Sequence, residues 1–393
     1  MTLSSFEKLV ILGEGAKYDV CASTSVNHKK VFSGSKLGLG TTSSCGVCHS
    51  FTPDGRCISL LKVLMTNVCQ KDCCYCPNRR QRDVKRTSFT ANELASLFIE
   101  FYRRNYVEGL FLSSGVKNTT FQTMDEMLQC IEIIRYKHNF NGYIHLKILP
   151  GAKEEQIEAA CTLANRVSIN CEAPQQKHLN KLSKTKNFNK DILNTFKTID
   201  KYQGTNKCNQ STQFIVGASG ETDKDILSRV DSLYNNFGVK RAYFSAFTPV
   251  MGTPLESLSS TPLLRENRLY QSDFLIRLYN FKVHDLTFIN GNLQDNMDPK
   301  LAFALNNLAL YPIEVNTANF DKLLKVPGIG PVSAKRIIKL RRTTKILDPN
   351  QLKAIRVVVK RALPFISLNG KVFDSIEKFY KNQNKVKQLS FDF

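Results

Sequence analysis

Short apolar runs alternating with segments of helical spacing between residues 58 and 283 restrict the fold more than any other feature of this chain. The runs are ISLLKVLMTN (58–67), GLFLSSG (109–115), YIHLKILPG (143–151), RVSINCEAP (166–174), QFIVGASG (213–220) and RAYFSAFTP (241–249), each bounded by turn-forming residues. Between them, NELASLFIEFYRRN (92–105), MDEMLQCIEIIRYK (124–137), KEEQIEAACTLA (153–164) and DKDILSRVDSLYNNF (223–237) repeat apolar residues every three or four positions. Strands separated by helices pair in parallel, so an α/β fold with a parallel sheet is expected. Periodicity leaves open whether the sheet is flat or closes as a partial barrel. In both forms functional groups gather at the C-terminal ends of the strands. Those ends are Thr66 and Asn67, Ser113 to Gly115, Leu149 to Gly151, Asn170 to Glu172, Gly217 to Glu221, and Phe247 to Thr253.

The chain has 393 residues, 42 % of them apolar, enough for two or three domains with a large core. It has no run of about 18 uncharged apolar residues, and MTLSSFEKLV lacks the charged-then-apolar pattern of a secretion signal. A cytoplasmic protein with no membrane segment is expected. In that reducing compartment its twelve cysteines are not expected as disulfides. Five of them, Cys57, Cys69, Cys73, Cys74 and Cys76, fall between residues 57 and 76, which points to metal binding or catalysis.

The stretch CQKDCCYC (69–76) follows directly on the first strand, at the expected functional rim. Cys69-x3-Cys73-x2-Cys76 offers three thiolates in one tight loop, suited to three irons of a cubane, and leaves the fourth iron open to an outside ligand. A zinc site is the alternative, because CGVC (45–48) and CCYC (73–76) form a CxxC pair of pairs. The three-cysteine spacing resembles the signature of the radical S-adenosylmethionine (SAM) superfamily. That resemblance implies a partial (β/α)6 TIM-type barrel over residues 58–283. It also implies a [4Fe-4S] cluster on Cys69, Cys73 and Cys76, with Cys74 a bystander and Tyr75 the customary aromatic before the third ligand. S-adenosylmethionine on the open iron is then cleaved reductively to a 5′-deoxyadenosyl radical, with electrons from a donor such as flavodoxin or ferredoxin. By the same resemblance Ser113, Ser114 and Gly115 stand where the methionyl amino group is held, although the commoner form is Gly-Gly-Glu. Gly217 and Glu221 lie in a motif similar to the one that packs on adenine, the glutamate one position later than usual. Asn170 and Glu172 fall where the ribose or methionyl carboxylate is met. For each of these strand-end residues a helix cap or turn role is the plainer alternative.

Residues 1–57 read as an irregular segment. Its Cys21, Cys45, Cys48 and Cys57 form a candidate second metal site, for an auxiliary cluster or zinc; scattered reduced thiols are the alternative.

The formal net charge is +21, and residues 321–393 alone hold 17 Lys and Arg against 5 Asp and Glu. A second basic run, KHLNKLSKTKNFNK (177–190), reads equally as solvated surface or as a polyanion contact. Within the C-terminal block, LLKVPGIGPVSAKRIIKLRR (323–342) resembles a helix-hairpin-helix. In such a motif the turn around Gly328, Ile329 and Gly330 points N–H groups at a nucleic-acid phosphate. Lys335, Arg336, Lys339, Arg341 and Arg342 would add long-range charge. Residues 318–393 are thus expected as a small all-α, basic nucleic-acid-binding domain, joined by a connecting segment at 284–317. A helical hairpin used for protein contacts is the alternative.

The order of AKYDVCAS (16–23), the cysteine stretch, EGLFLSSGV (108–116), SINCEAP (168–174) and the hairpin resembles the DNA modification or repair branch of the radical SAM proteins. Members of that branch are associated with a uracil-DNA glycosylase-like partner. The resemblance implies a DNA substrate, with Tyr243, Ser245 and Phe247 facing it. Cys171 is a candidate radical-site thiol or, more plainly, a core cysteine. Two other readings stay open: an RNA- or tRNA-modifying radical SAM enzyme, and a non-catalytic iron-sulfur redox sensor that binds DNA.

Overall fold

The computed structural model of the protein describes residues 3–16, 47–51, 57–206 and 208–378. The chain divides into two compact units, one comprising residues 1–221 and 229–266, the other 222–228 and 267–393.

The first unit begins with α1 (Ser5–Ala16), β1 (Val47–Phe51), β2 (Cys57–Leu64), α2 (Ala91–Arg103), β3 (Gly109–Ser113), α3 (Thr120–Glu132) and β4 (Tyr143–Lys147). It continues with α4 (Glu154–Leu163), β5 (Arg166–Ser168), α5 (Gln176–Leu182), α6 (Asn194–Gln203), β6 (Asn209–Val216), α7 (Asp223–Asn236), of which residues 229–236 belong to it, and β7 (Arg241–Ala246). The seven strands pair in chain order; β2 to β7 are parallel and β1 is antiparallel to β2. All six expected strands are present in one curled sheet. The seventh, β1, lies in the segment read as irregular. Its sequence VCHSF carries no clean alternation, and the open edge of β2 supplies its hydrogen bonds.

Alternation assigns the two faces of the sheet. Leu61, Val63, Leu110, Leu112, Ile144, Leu146, Val167, Phe214 and Phe244 are buried and share one face, the apolar face that the helices cover. Helix boundaries follow local chemistry. Thr90 and Glu93 form a reciprocal capping box that starts α2, and the Thr119 side chain accepts the Gln122 N–H to start α3 before the first periodic apolar residue.

The second unit contains most of α8 (Leu263–Leu278), so the expected core boundary at residue 283 falls inside it. Residues 284–317, read as a connection, fold as the hairpin β8 (Phe288–Ile289) and β9 (Asn292–Leu293), then α9 (Pro299–Asn306) and β10 (Ile313–Glu314). Next come α10 (Phe320–Lys325) and α11 (Pro331–Leu340), and later β11 (Ile366–Leu368) and β12 (Lys371–Val372). The region expected as all-α therefore also carries β11 and β12, which join β10 of the preceding segment in a three-stranded sheet whose strands are too short to register as period-two alternation. Leu323, Val326, Ile329, Ala334, Ile337 and Phe365 share one core between the helices and this sheet. No helix of the described residues is long and apolar enough to cross a membrane.

Candidate active site

The cysteine loop leaves the C-terminal end of β2, and its backbone is fixed at both ends. Met65 and Gly115 donate N–H groups to Ser113 and Thr66 carbonyls (2.8 and 2.7 Å), and Gln70 donates to Val116 (2.7 Å). On the return side the Asn67 amide bonds Lys85 O and Thr87 N (both 2.8 Å), while the Arg86 guanidinium gathers the carbonyls of Asn67, Asn78, Arg79 and Arg82. A loop with so many carbonyls turned onto one guanidinium has little freedom to open.

The thiols sit in donor-rich surroundings. The Cys69 sulfur accepts the N–H groups of Lys71 and Val116, and the Cys76 sulfur that of Asn78, all at 3.4 Å. N–H donors directed at sulfur favour the thiolate that iron requires. Burial pushes the Cys73 thiol up to about 11 and the Cys76 thiol higher still, so iron must displace their protons. Gly115 closes over the loop: a Cβ there would lie 2.6 Å from Val68 O and 3.2 Å from the Cys69 Cβ. Among the described residues, no three His, Cys, Asp or Glu side chains gather tightly enough for one metal ion. A cubane offers each thiolate its own iron, so the loop need not gather them about a single ion. The donor set therefore fits a cluster held on Cys69, Cys73 and Cys76. Cys74 points its N–H at Leu182 O (2.7 Å), outside that set.

Beneath the loop lies a pair that the sequence did not announce. Lys186 and Glu172 form a buried ion pair at 2.6 Å, their side chains only 6 and 4 % exposed. Burial by itself would lower the lysine, but the neighbouring Cys73 and Glu172 hold it above its ordinary range. Asp72 ties the loop to the same segment, accepting from Ser183 Oγ (2.6 Å), Thr185 Oγ1 (2.8 Å) and Lys184 N (3.0 Å). So the run 177–190 is not simply a solvated surface: its turn at 183–186 clamps the cysteine loop.

The other strand ends divide into open and committed groups. Ser114 Oγ is buried with no hydrogen-bond partner among the described residues, an oriented polar atom of the kind a cofactor satisfies, and Glu172 Oε2 is likewise buried at the strand ends. Asn170 is half-buried, while Glu172 takes a left-handed φ of 63° that bridges β5 to β6. Burial, then the Glu172 carboxylate, holds the Tyr75 phenol well above its ordinary range. Gly217 has φ 91°, and a Cβ would collide with Thr261 Oγ1, so only glycine fits. Glu221, assigned to the cofactor from sequence, has a fully buried side chain whose oxygens take the Gly217 N–H and the Ser219 N–H and hydroxyl; it braces its own turn. Tyr243 and Ser245 are half-buried on β7, whereas Phe247 is buried. Cys171 is a fully buried thiol pushed up by burial, with its S–H on Ala173 O (3.3 Å), and fits the core role.

The candidate second metal site does not assemble as expected. Cys48 pairs with Leu60 and Cys57 with Phe51, three positions apart on the same ladder. An odd offset places them on opposite faces, about 10 Å apart along the strand, and Cys48 is buried while Cys57 is exposed. They cannot share one ion in this register. Cys21 and Cys45 lie outside the described residues.

In the second unit, α10 and α11 meet at the hairpin. Gly328 has φ 85°, and a Cβ would lie 2.5 Å from Val358 O; Gly330 caps α11 ahead of Pro331. Ile329 differs from expectation: its side chain is buried in the core and its N–H is taken by Val326 O (3.2 Å). Lys335, Lys339 and Arg342 are exposed and Arg336 half-buried, but Arg341 is directed inward onto Val315 and Ala318 carbonyls (2.8 and 2.6 Å).

Residues 63–233 match the Radical SAM superfamily, and residues 311–364 match a helix-hairpin-helix motif. Residues 63–233 are thus a radical SAM domain by fold and match, joined in one chain to a helix-hairpin-helix unit. Similar solved structures include methylornithine synthase (PylB), at 15 % identity and TM-score 0.46, covering 54 % of this chain and 60 % of that one. The FeFe-hydrogenase maturase HydG from Carboxydothermus hydrogenoformans aligns at 15 % identity and TM-score 0.46, covering 54 and 50 %. A radical SAM methyltransferase from Sphaerobacter thermophilus aligns at 15 % and TM-score 0.43, covering 57 and 68 %. The chain thus spans 60 % and half of the lengths of the first two. No curated protein matches the sequence.

Proposed function

We propose that the protein is a radical SAM enzyme of DNA modification or repair. The reading rests on one observation: a three-cysteine loop clamped at the rim of a parallel sheet occurs in the same chain as a helix-hairpin-helix with exposed Lys335, Lys339 and Arg342. When bound, the cluster and S-adenosylmethionine supply a 5′-deoxyadenosyl radical able to abstract a hydrogen atom. Cys69, Cys73 and Cys76 hold the cluster; Ser114, Gly115, Asn170 and Glu172 border the cofactor position. The hairpin would hold duplex backbone without reading its sequence, and a nucleotide inside a duplex would reach the rim only by extrusion, which favours damaged or unpaired positions. A reductant such as flavodoxin or ferredoxin and a uracil-DNA glycosylase-like protein are the partners this role calls for.

The test is to reduce the anaerobically purified protein with dithionite, add S-adenosylmethionine with duplex DNA, with RNA or alone, and quantify 5′-deoxyadenosine. Stimulation by DNA is expected. Stimulation by RNA only would transfer the reading to RNA modification, and no formation by protein shown to hold a reducible cluster would overturn the enzymatic role.

A further inference from the structure

The second unit carries a groove of about 920 Å³ lined by the end of α8, the start of α9 and the hairpin, a size that ligand pockets commonly have. Its hairpin wall is Gly328 to Ser333, the turn and the start of α11, where N–H groups and the helix dipole favour a phosphate. Tyr279, just past α8, stands against that wall: a Cβ on Gly330 would lie 3.1 Å from its hydroxyl oxygen. Lys300 on α9 fixes the arrangement, its ammonium bonded to Ile329 O and 4.6 Å from the Tyr279 ring centre. Burial holds the Tyr279 phenol above its ordinary range, so it keeps its proton at neutral pH, and its hydroxyl has no hydrogen-bond partner among the described residues. Leu278, Val332 and Val358 line the same groove while 49, 60 and 54 % exposed, an apolar patch of the kind that marks a binding site. Charge on the lining is one-sided. Asp298, its one carboxylate among the described residues, is taken by Arg361, whereas Lys335 and Arg356 make no ion pair with any described residue. Arg356 sits there against its own backbone preference: its φ is 66°, a left-handed value that glycine or asparagine adopts more readily, and its carbonyl accepts the Ser333 hydroxyl at 2.8 Å. That bond locks the strained turn to α11 and keeps a cation on the groove.

An occupant must therefore combine an apolar or planar body with negative charge. Continuous duplex does not, because its bases are stacked and paired; an unpaired nucleotide offers a ring face and a phosphate together. We propose that the groove takes an unpaired nucleotide beside the duplex, so that the second unit prefers DNA with a gap or a single-stranded tail to uninterrupted duplex. The choice of nucleic acid rests on the DNA reading above; a peptide rich in acidic and aromatic residues is the alternative that the experiment separates.

Fluorescence anisotropy of the full chain at one salt concentration tests it with three labelled probes: a blunt duplex, the same duplex with a short single-stranded tail, and that tail built from abasic nucleotides. Wild type should bind the tailed duplex about ten-fold or more tightly than the blunt one, and the abasic tail should lose most of that gain. Tyr279→Leu/Arg356→Gln should bring the tailed-to-blunt ratio close to one, with thermal melting as the control for folding. Arg356→Gln alone, at an exposed position that does not threaten folding, should also lower it. Lys339→Gln, outside the groove, should weaken both duplexes alike and keep the ratio. Equal binding of tailed and blunt duplex by wild type, an abasic tail as good as the natural one, or a ratio unchanged in the folded variants overturns the groove assignment while the DNA reading stands. Failure to bind any of the three probes even at low salt overturns both. If the tail gives no advantage but a glutamate–tyrosine copolymer binds wild type and not the groove variant, the groove is a peptide site and the proposal falls.

Discussion

Lys186 belongs to a run of five lysines among Asn, Ser and Thr, a composition that ordinarily marks solvated surface. The structure buries it because α5 ends at Leu182 and the following turn dips under the cysteine loop. Removing one partner of such a pair leaves an uncompensated charge, so Lys186→Met should cost about 3–5 kcal/mol in urea unfolding of the cluster-free protein. Adding Glu172→Gln should restore most of that loss; a double variant no better than the single would show that the pair is not the source. The cysteines divide in a similar test. Cys73→Ala should lose the cubane by iron and sulfide count, whereas Cys74→Ala should keep it. Cys69, Cys73 and Cys76 could be proposed together from sequence because one loop carries all three at a spacing a cubane would use, and the structure sets that loop in N–H donors at the sheet rim. The bracing role of Glu221 was not legible for the opposite reason: which atoms a carboxylate satisfies depends on how the chain turns back at 217–219, and no spacing encodes that.

Elements were readable where a strand or helix is long enough to show its period. β2 to β7 alternate or run apolar, and their helices carry a stripe, so both layers of the sheet could be placed from sequence. β1 and β10 to β12 could not, being short strands held by pairing to edges the sequence does not display. The small sheet has an identifiable fastener in Glu314, which accepts from Asn316 N, Asn369 N and Ser367 Oγ (each 3.0 Å) and Gly370 N (2.9 Å). Burial would raise this carboxyl, but those donors outweigh it and hold it at about 2, below the ordinary 4.5. A depressed folded value means the stabilisation is complete above 4.5 and lost as pH falls through about 2. Glu314→Gln should therefore lower unfolding free energy by about 1–3 kcal/mol at pH 7, with the gap to wild type shrinking as melts are repeated toward pH 2. Gly328 is the other element-scale constraint. Its positive φ and the 2.5 Å approach to Val358 O predict that Gly328→Ala lowers the melting temperature, whereas a surface Lys335→Ala does not.

At the scale of the molecule, charge is concentrated where function would use it. The last 73 residues carry a net +12, and the hairpin there has its own core, distinct from the sheet that carries the cysteine loop. Two compact units with separate cores predict separable activities. In a triple variant, Lys335→Gln/Lys339→Gln/Arg342→Gln, each lost phosphate contact should flatten the dependence of log binding constant on log salt by about 0.9, or roughly 2.7 for three. The hairpin N–H groups remain in that variant, so residual, less salt-sensitive DNA binding should persist. Formation of 5′-deoxyadenosine without DNA should match wild type, since none of the three residues lies in the sheet unit, while stimulation by DNA should fall in step with affinity. If cofactor cleavage without DNA falls as well in a variant that melts like wild type, the hairpin unit supports the chemistry directly. If the salt dependence does not change, the exposed cations of α11 do not meet the phosphates, and the duplex lies on another face of the basic unit.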